Sequence, residues 1–137
     1  MLAYVDTSVF LSIIFEEEDY QKLSDFLNEF SKDLENTVIT SHLTLCEVLS
    51  ALNREKFNFE ILGLISERSV IKTYDVQEQT LKEVLTVGHL RGADLYHVAQ
   101  AFELRALGSY KEQANVYFAT RDIQQQKVAA KLGFKTL

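Results

Sequence analysis

The chain has 137 residues, 47% of them apolar and 25% charged, and a formal charge of −6. That length and balance describe one soluble globular domain with a sizeable core, and the acidic balance argues against a protein that coats nucleic acid nonspecifically. No apolar run approaches the ~18 residues of a membrane span, and no basic segment precedes the N-terminal apolar stretch as in a secretory leader. The single cysteine, Cys46, excludes a disulfide framework and fits a reducing cytosol.

The first apolar run, Leu2–Val5, is predicted to be a strand and stops at Asp6. A carboxylate at that place either caps a helix starting near Thr7 or forms one corner of a charged site. The acidic run 16–19 reads as a solvated turn, with Asp19 near a helix start. Leu23, Phe26, Leu27 and Phe30 follow at helical spacing and predict a helix over 20–34. Thr37–Thr40 is a second strand, and His42–Arg54, with Leu45, Leu49 and Leu52, a second helix. A helix over 57–68, a strand over 70–74 and a helix over 76–87 come next. Leu95, Val98, Ala99, Phe102 and Ala106 predict a helix over 94–107, followed by a polar loop over 108–115. Val116–Ala119 is a strand, 123–132 a more polar helix and 134–137 a last strand. There is no proline, so turns rest on Gly, Asn, Asp and Ser. Strands alternating with helices predict an α/β fold over residues 1–137, a mostly parallel sheet of four to five strands covered on both faces.

Sites in open α/β sheets form beyond the C-terminal ends of the strands. Asp6 ends the first strand, Asp122 follows the fourth, Asp94 opens a helix, and Glu47 lies in the helix after the second strand. Glu47 sits roughly 9 Å into its helix, but helical side chains tilt toward the N-terminus and can reach back to the strand ends. Taken singly, Asp6 could be a cap, Asp94 a favourable charge in a first helical turn and Asp122, with Gln125, a loose capping box. Glu47 has the weakest structural explanation, because its apolar neighbours ask for no acid and a buried carboxylate needs a cation or a donor. Together the four converge on one edge. Carboxylates so gathered repel one another, and a hard divalent cation with oxygen ligands is the ordinary remedy. No convincing Cys or His nucleophile is present.

At these residues the sequence resembles the PIN-domain nucleases, and among them the VapC-type toxins of toxin–antitoxin pairs. "YVDTSVFL" looks like the opening strand with the first acid, "TLCEVLSAL" the second-acid segment, "GADLYHVAQA" the third-acid helix, and "FATRD" the fourth motif. The match covers essentially the whole chain. The resemblance implies a PIN-like three-layer α/β/α sandwich and hydrolysis of RNA dependent on Mg²⁺ or Mn²⁺, with one or two ions. In the family, water attacks phosphorus and leaves a 5′-phosphate. Asp6, Glu47, Asp94 and Asp122 would hold metal, directly or through water, and Thr7, Ser8 and Thr120 would orient them. An antitoxin occluding the acidic cleft and a homodimer are implied as well, in the cytoplasm and without a membrane. The sequence departs from many relatives where a further acid and an aromatic follow the fourth motif; here "IQQQ" stands. That departure bears on a second metal site and leaves the three-acid core.

A chain of this charge needs local cations to meet RNA. Arg121, Arg91 and His42 are the candidates near the proposed edge, with Arg54, Lys56, His89 and Lys127 farther out. His97, one turn after Asp94, reads as a packed or hydrogen-bonded helix residue, and Cys46 as a small buried hydrophobe. Two alternatives belong to other classes. One is a catalytically silent PIN-like binding module. The other is a phosphatase of the haloacid dehalogenase type, which needs a second Asp where Ser8 stands.

Overall fold

The computed structural model describes residues 1–107 and 115–137, so the predicted loop lies outside the described residues except for Asn115. The elements in chain order are β1 (Leu2–Val5), α1 (Thr7–Ile14), α2 (Tyr20–Lys32), β2 (Thr37–Thr40) and α3 (His42–Arg54). A 3₁₀ turn (Phe59–Leu62), α4 (Gly63–Arg68), β3 (Val70–Ile71), α5 (Glu78–Val87) and α6 (Gly92–Leu107) follow, then β4 (Val116–Ala119), α7 (Ile123–Lys131) and β5 (Lys135–Thr136). Among the described residues no helix is long and apolar enough to cross a membrane.

The five strands form one sheet in the order β3-β2-β1-β4-β5, and every pair is parallel. Strand β1 is central, with Leu2 in register with Thr37 on one side and Val116 on the other. The chain builds outward through β2 and β3, then crosses to β4 and β5. Its direction of winding therefore reverses between β1 and β4, the place where an open α/β sheet leaves a crevice.

Strand alternation divides the core into two layers. Ala3, Val5 and Val38 face Val9, Phe10, Leu27, Val48 and Ile65, from α1 to α4. Tyr4, Ile39 and Phe118 face Val84, Val98 and Val128, from α5, α6 and α7. Because both faces are covered, Ala3, Tyr4 and Val5 are fully buried in succession, as strands of a doubly covered parallel sheet should be.

Four sequence expectations are corrected. The periodicity over 57–68 is not one helix: the Asn58 side chain caps the 3₁₀ turn by accepting from Glu60 N at 3.0 Å, and α4 starts only at Gly63. The third strand ends at Ile71, because the main chain of Tyr74 is paired by a side chain. The fully buried Gln100 accepts from Tyr74 N at 2.7 Å through Oε1 and donates to Tyr74 O at 2.6 Å through Nε2. Cys46 is exposed. The buried stripe of α3 is Thr44, Val48, Ala51 and Leu52, and Leu49 is largely outside it.

Gly88, after α5, brings the backbone close to α7: a Cβ there would lie 2.7 Å from Val128 Cγ2. A helical valine has one strongly preferred rotamer and cannot swing aside. Gly88→Ala should therefore lower stability by about 1–3 kcal/mol, read from urea unfolding. Gln100→Leu should cost about 2–4 kcal/mol in the same assay, since it strands a buried N–H and a buried C=O together.

Candidate active site

Strand β1 runs directly into Asp6, which leaves the sheet in extended conformation and caps α1. Its Oδ1 accepts from Ser8 N at 3.0 Å and from Ser8 Oγ at 2.6 Å, and its Oδ2 accepts from Thr120 Oγ1 at 2.7 Å. The residue is 2% exposed. Burial pushes its carboxyl above the ordinary range, and the hydrogen bonds from Ser8 and Thr120 oppose that shift. Among the described residues, no lysine or arginine forms an ion pair with it. The supporting hydroxyls are themselves anchored, since Asp122 N donates to Thr120 Oγ1 at 3.0 Å and Arg121 N donates to Ser8 Oγ at 2.9 Å. The ends of β1 and β4 are thus stitched together at the crevice.

Glu47 reaches back from α3 as helical geometry allows. Its Oε2 accepts from Thr7 Oγ1 and from His97 Nε2, the latter at 3.0 Å. The His97 hydrogen bond is the main reason its carboxyl lies below the ordinary range; burial works against it and Thr7 adds to it. His97 is buried on α6, and its Nδ1 lies 2.9 Å from the Tyr4 hydroxyl of β1.

Asp94 sits in the first turn of α6, and Asp122 caps α7 by accepting from Gln125 N at 2.7 Å. Gln125 also donates through Nε2 to Asp94 Oδ1 at 2.9 Å, so one residue touches both acids. Burial, and after it the charge of Asp122, push Asp94 upward. Sequence reading saw Gln125 only as half of a capping box; its proximity to Asp94 depends on how α6 and α7 pack.

Asp6, Glu47, Asp94 and Asp122 line one cleft of ≈ 240 Å³, with Thr7, Ser8, Leu11, His97 and Gln125. Beyond Asp94 and Asp122 the surface continues into a depression that holds His89, Arg91 and Gln124. Beyond Glu47 and Thr7 it continues into a groove with Cys46, Ser50 and Arg54. Arg121 does not line the cleft: its guanidinium pairs with Glu17 and lies 3.6 Å from Asp19. His42 is also outside it, with its N and Nδ1 at 3.1 and 2.9 Å from Thr73 Oγ1.

Among the described residues, no three acidic, histidine or cysteine side chains stand close enough together to share one ion. The donor chemistry nevertheless suits a hard cation. The cleft presents carboxylate oxygens, and its imidazole has both nitrogens engaged. Mg²⁺ keeps several of its waters, so acids spaced around a cleft fit an ion held partly through water.

The burial of Asp6 has a measurable consequence. Asp6→Asn keeps an acceptor for Ser8 N and removes a desolvated charge, so without divalent cations it should raise Tm at neutral pH, by roughly 2–6 °C if about 1 kcal/mol is relieved. Since the folded-state pKa is raised, the gap between variant and wild type is full above that pKa. It closes as pH falls toward the ordinary carboxylate range, where both states of the wild type are protonated. Thermal melts across pH check both the sign and the closure.

None of the curated proteins compared with the chain matches it. Among solved structures, the chain is similar to one described as the crystal structure of VapBC2 from Rickettsia felis bound to a DNA fragment from their promoter. The identity is 15%, the TM-score 0.68, and the match covers 100% of this chain and 98% of that one. At that identity the likeness shows a shared fold. The PIN domain family model matches residues 3–131, a span that holds all four acids of the cleft. With most of its length matched, the chain belongs to the PIN domain family.

Proposed function

We propose that this protein is a divalent-metal-dependent endoribonuclease, the toxin of a VapBC-type toxin–antitoxin pair acting in the cytoplasm. The observation that carries the reading is the convergence of Asp6, Glu47, Asp94 and Asp122 on one cleft at the switch point of a PIN-domain sheet. Mg²⁺ or Mn²⁺ is the cofactor, held by these four acids, and when bound it offsets their mutual repulsion and activates water toward a phosphodiester. Ser8 and Thr120 orient Asp6, and Thr7 and His97 orient Glu47. Asp94, raised by burial and by Asp122, is suited to accept a proton at Oδ2, the oxygen not engaged by Gln125.

The RNA backbone has cationic contacts on both flanks of the acids, at Arg91 with His89 on one side and at Arg54 on the other. Arg121, neutralised by Glu17 and Asp19, contributes its backbone amide to the site rather than a free charge. An antitoxin partner is supported by the VapBC2 complex among the similar structures. An acidic cleft of this kind suits a basic segment of such a partner, and a homodimer accompanies that mode of assembly.

A catalytically silent PIN-like binding module is the second reading, favoured by the absence of three donors close enough to share an ion among the described residues. Two measurements separate the readings. Purified protein should cleave RNA only with Mg²⁺ or Mn²⁺ and leave 5′-phosphate ends. Asp6→Asn and Asp94→Asn should each reduce cleavage by about 100-fold or more, on the scale of losing a general base, while circular dichroism stays native; undiminished cleavage by both variants would sink the proposal. Mn²⁺ at about 100 times its Kd should stabilise the wild type by about 2.7 kcal/mol, whereas a silent scaffold should show no shift in Tm.

A further inference from the structure

We propose that His97, steadied by Tyr4, is a positioning residue that locks the Glu47 carboxylate with Oε2 turned inward and Oε1 presented to the cleft. The inference rests on the metal-dependent reading above and gives one residue of that site a specific task.

Glu47 lines the cleft with Asp94 and Asp122, and its side chain is 34% exposed. A glutamate on a helix surface has several free torsions, and ordering them costs conformational entropy. No lysine or arginine among the described residues pairs with it. What fixes it is a pair of donors converging on one oxygen: Thr7 Oγ1 and His97 Nε2 both meet Oε2, and they lie 3.3 Å from each other. Oε1 has no hydrogen-bond partner among the described residues and belongs to a side chain that lines the cleft.

The hydrogen bonds hold in either charge state of the imidazole. Glu47 is acceptor-only when ionised, so the Nε2 that faces it carries a proton. Nδ1 then faces the Tyr4 hydroxyl, which burial keeps protonated. A hydroxyl both donates and accepts. It donates to Nδ1 of the neutral ring and accepts from Nδ1–H of the charged one. Tyr4 is itself fully buried on the central strand and stacked on Phe118 with centroids 5.8 Å apart. The chain Tyr4–His97–Glu47 therefore transfers the rigidity of β1 through α6 to an acid on α3. A residue needed only to fill the core there could be apolar; His97 instead has both nitrogens satisfied by side chains of two other elements.

The test is Mn²⁺ binding by calorimetry on the whole chain, with far-UV circular dichroism as the control for folding. His97→Leu should weaken Mn²⁺ binding by about 10-fold or more, the usual effect of removing a residue that orients a metal ligand. His97→Gln, whose amide nitrogen reaches near the place of Nε2, should recover most of that loss. Tyr4→Phe should give an intermediate loss. Wild-type Mn²⁺ affinity in folded His97→Leu overturns the proposal, and so does a Gln variant no better than Leu. If His97→Leu does not fold, unchanged affinity in Tyr4→Phe overturns it and a weakened one supports it. Absence of Mn²⁺ binding by the wild type is a different failure. It removes the metal reading, and this inference with it. Wild-type binding that Glu47→Gln weakens and His97→Leu leaves intact removes the inference alone.

Discussion

A carboxylate 2% exposed to solvent, with hydroxyl and amide donors around it and no lysine or arginine paired to it among the described residues, closes the central strand of this sheet. Burying a charge this way works against stability, yet the local structure is organised to do it. Ser8 and Thr120 hold the two oxygens of Asp6, and the same hydroxyls accept the backbone amides of Arg121 and Asp122. The bonds that orient the carboxylate therefore also dock the exit of β4 onto the exit of β1. The topological reversal of the sheet opens a crevice at that seam, and the Asp6 network fixes its floor. A desolvated carboxylate held this way in a cleft is a candidate functional position.

The walls of the cleft treat their acids in opposite ways. Glu47, on the α3 side, receives two donors on one oxygen and is held below the ordinary range. Asp94, on the α6 side, is raised by burial and by the neighbouring charge of Asp122. Environments that push neighbouring carboxyls apart assign them different work at one pH. Each acid has one oxygen held, Glu47 Oε2 by Thr7 and His97 and Asp94 Oδ1 by Gln125; two donors on one side against burial and the charge of Asp122 on the other separate them.

Much of the fold was legible because it follows from periodicity. The helix His42–Arg54 and the strands Leu2–Val5, Thr37–Thr40 and Val116–Ala119 have the boundaries that their apolar patterns predict. Their alternation predicts the parallel order. What escaped depends on partners far along the chain. Tyr74 leaves the strand pattern because Gln100, 26 residues on, satisfies its main chain. Helix α3 buries Thr44, Val48, Ala51 and Leu52, keeps Leu45 partly buried against the core and leaves Leu49 and Cys46 exposed. An isolated helical pattern with apolar residues on two adjacent faces does not say which face meets the sheet. The acids were visible as residues at strand ends. His97 and Gln125 were not visible as their partners, because their bonds to Glu47 and Asp94 cross 50 and 31 residues of sequence.

Gln125 gives the departure after the fourth motif a physical meaning. Many of the relatives that the sequence resembles carry a further acid just after the position of Asp122, and a further acid beside Asp94 and Asp122 would add to a repulsion that already raises Asp94. An amide does what a carboxylate cannot. Its Nε2 donates to Asp94, its backbone N–H serves Asp122, and its Oε1 adds no charge. That Oε1 is buried without a hydrogen-bond partner among the described residues. Such a group is normally costly, and here it accompanies the benefit of a donor between two carboxylates. The exchange makes this side of the cleft less negative and more tightly cross-linked than an additional acid would. Gln125 thereby fixes the positions of charges already present rather than adding another, and Glu47 is fixed likewise by Thr7 and His97, with no lysine or arginine among the described residues paired to it.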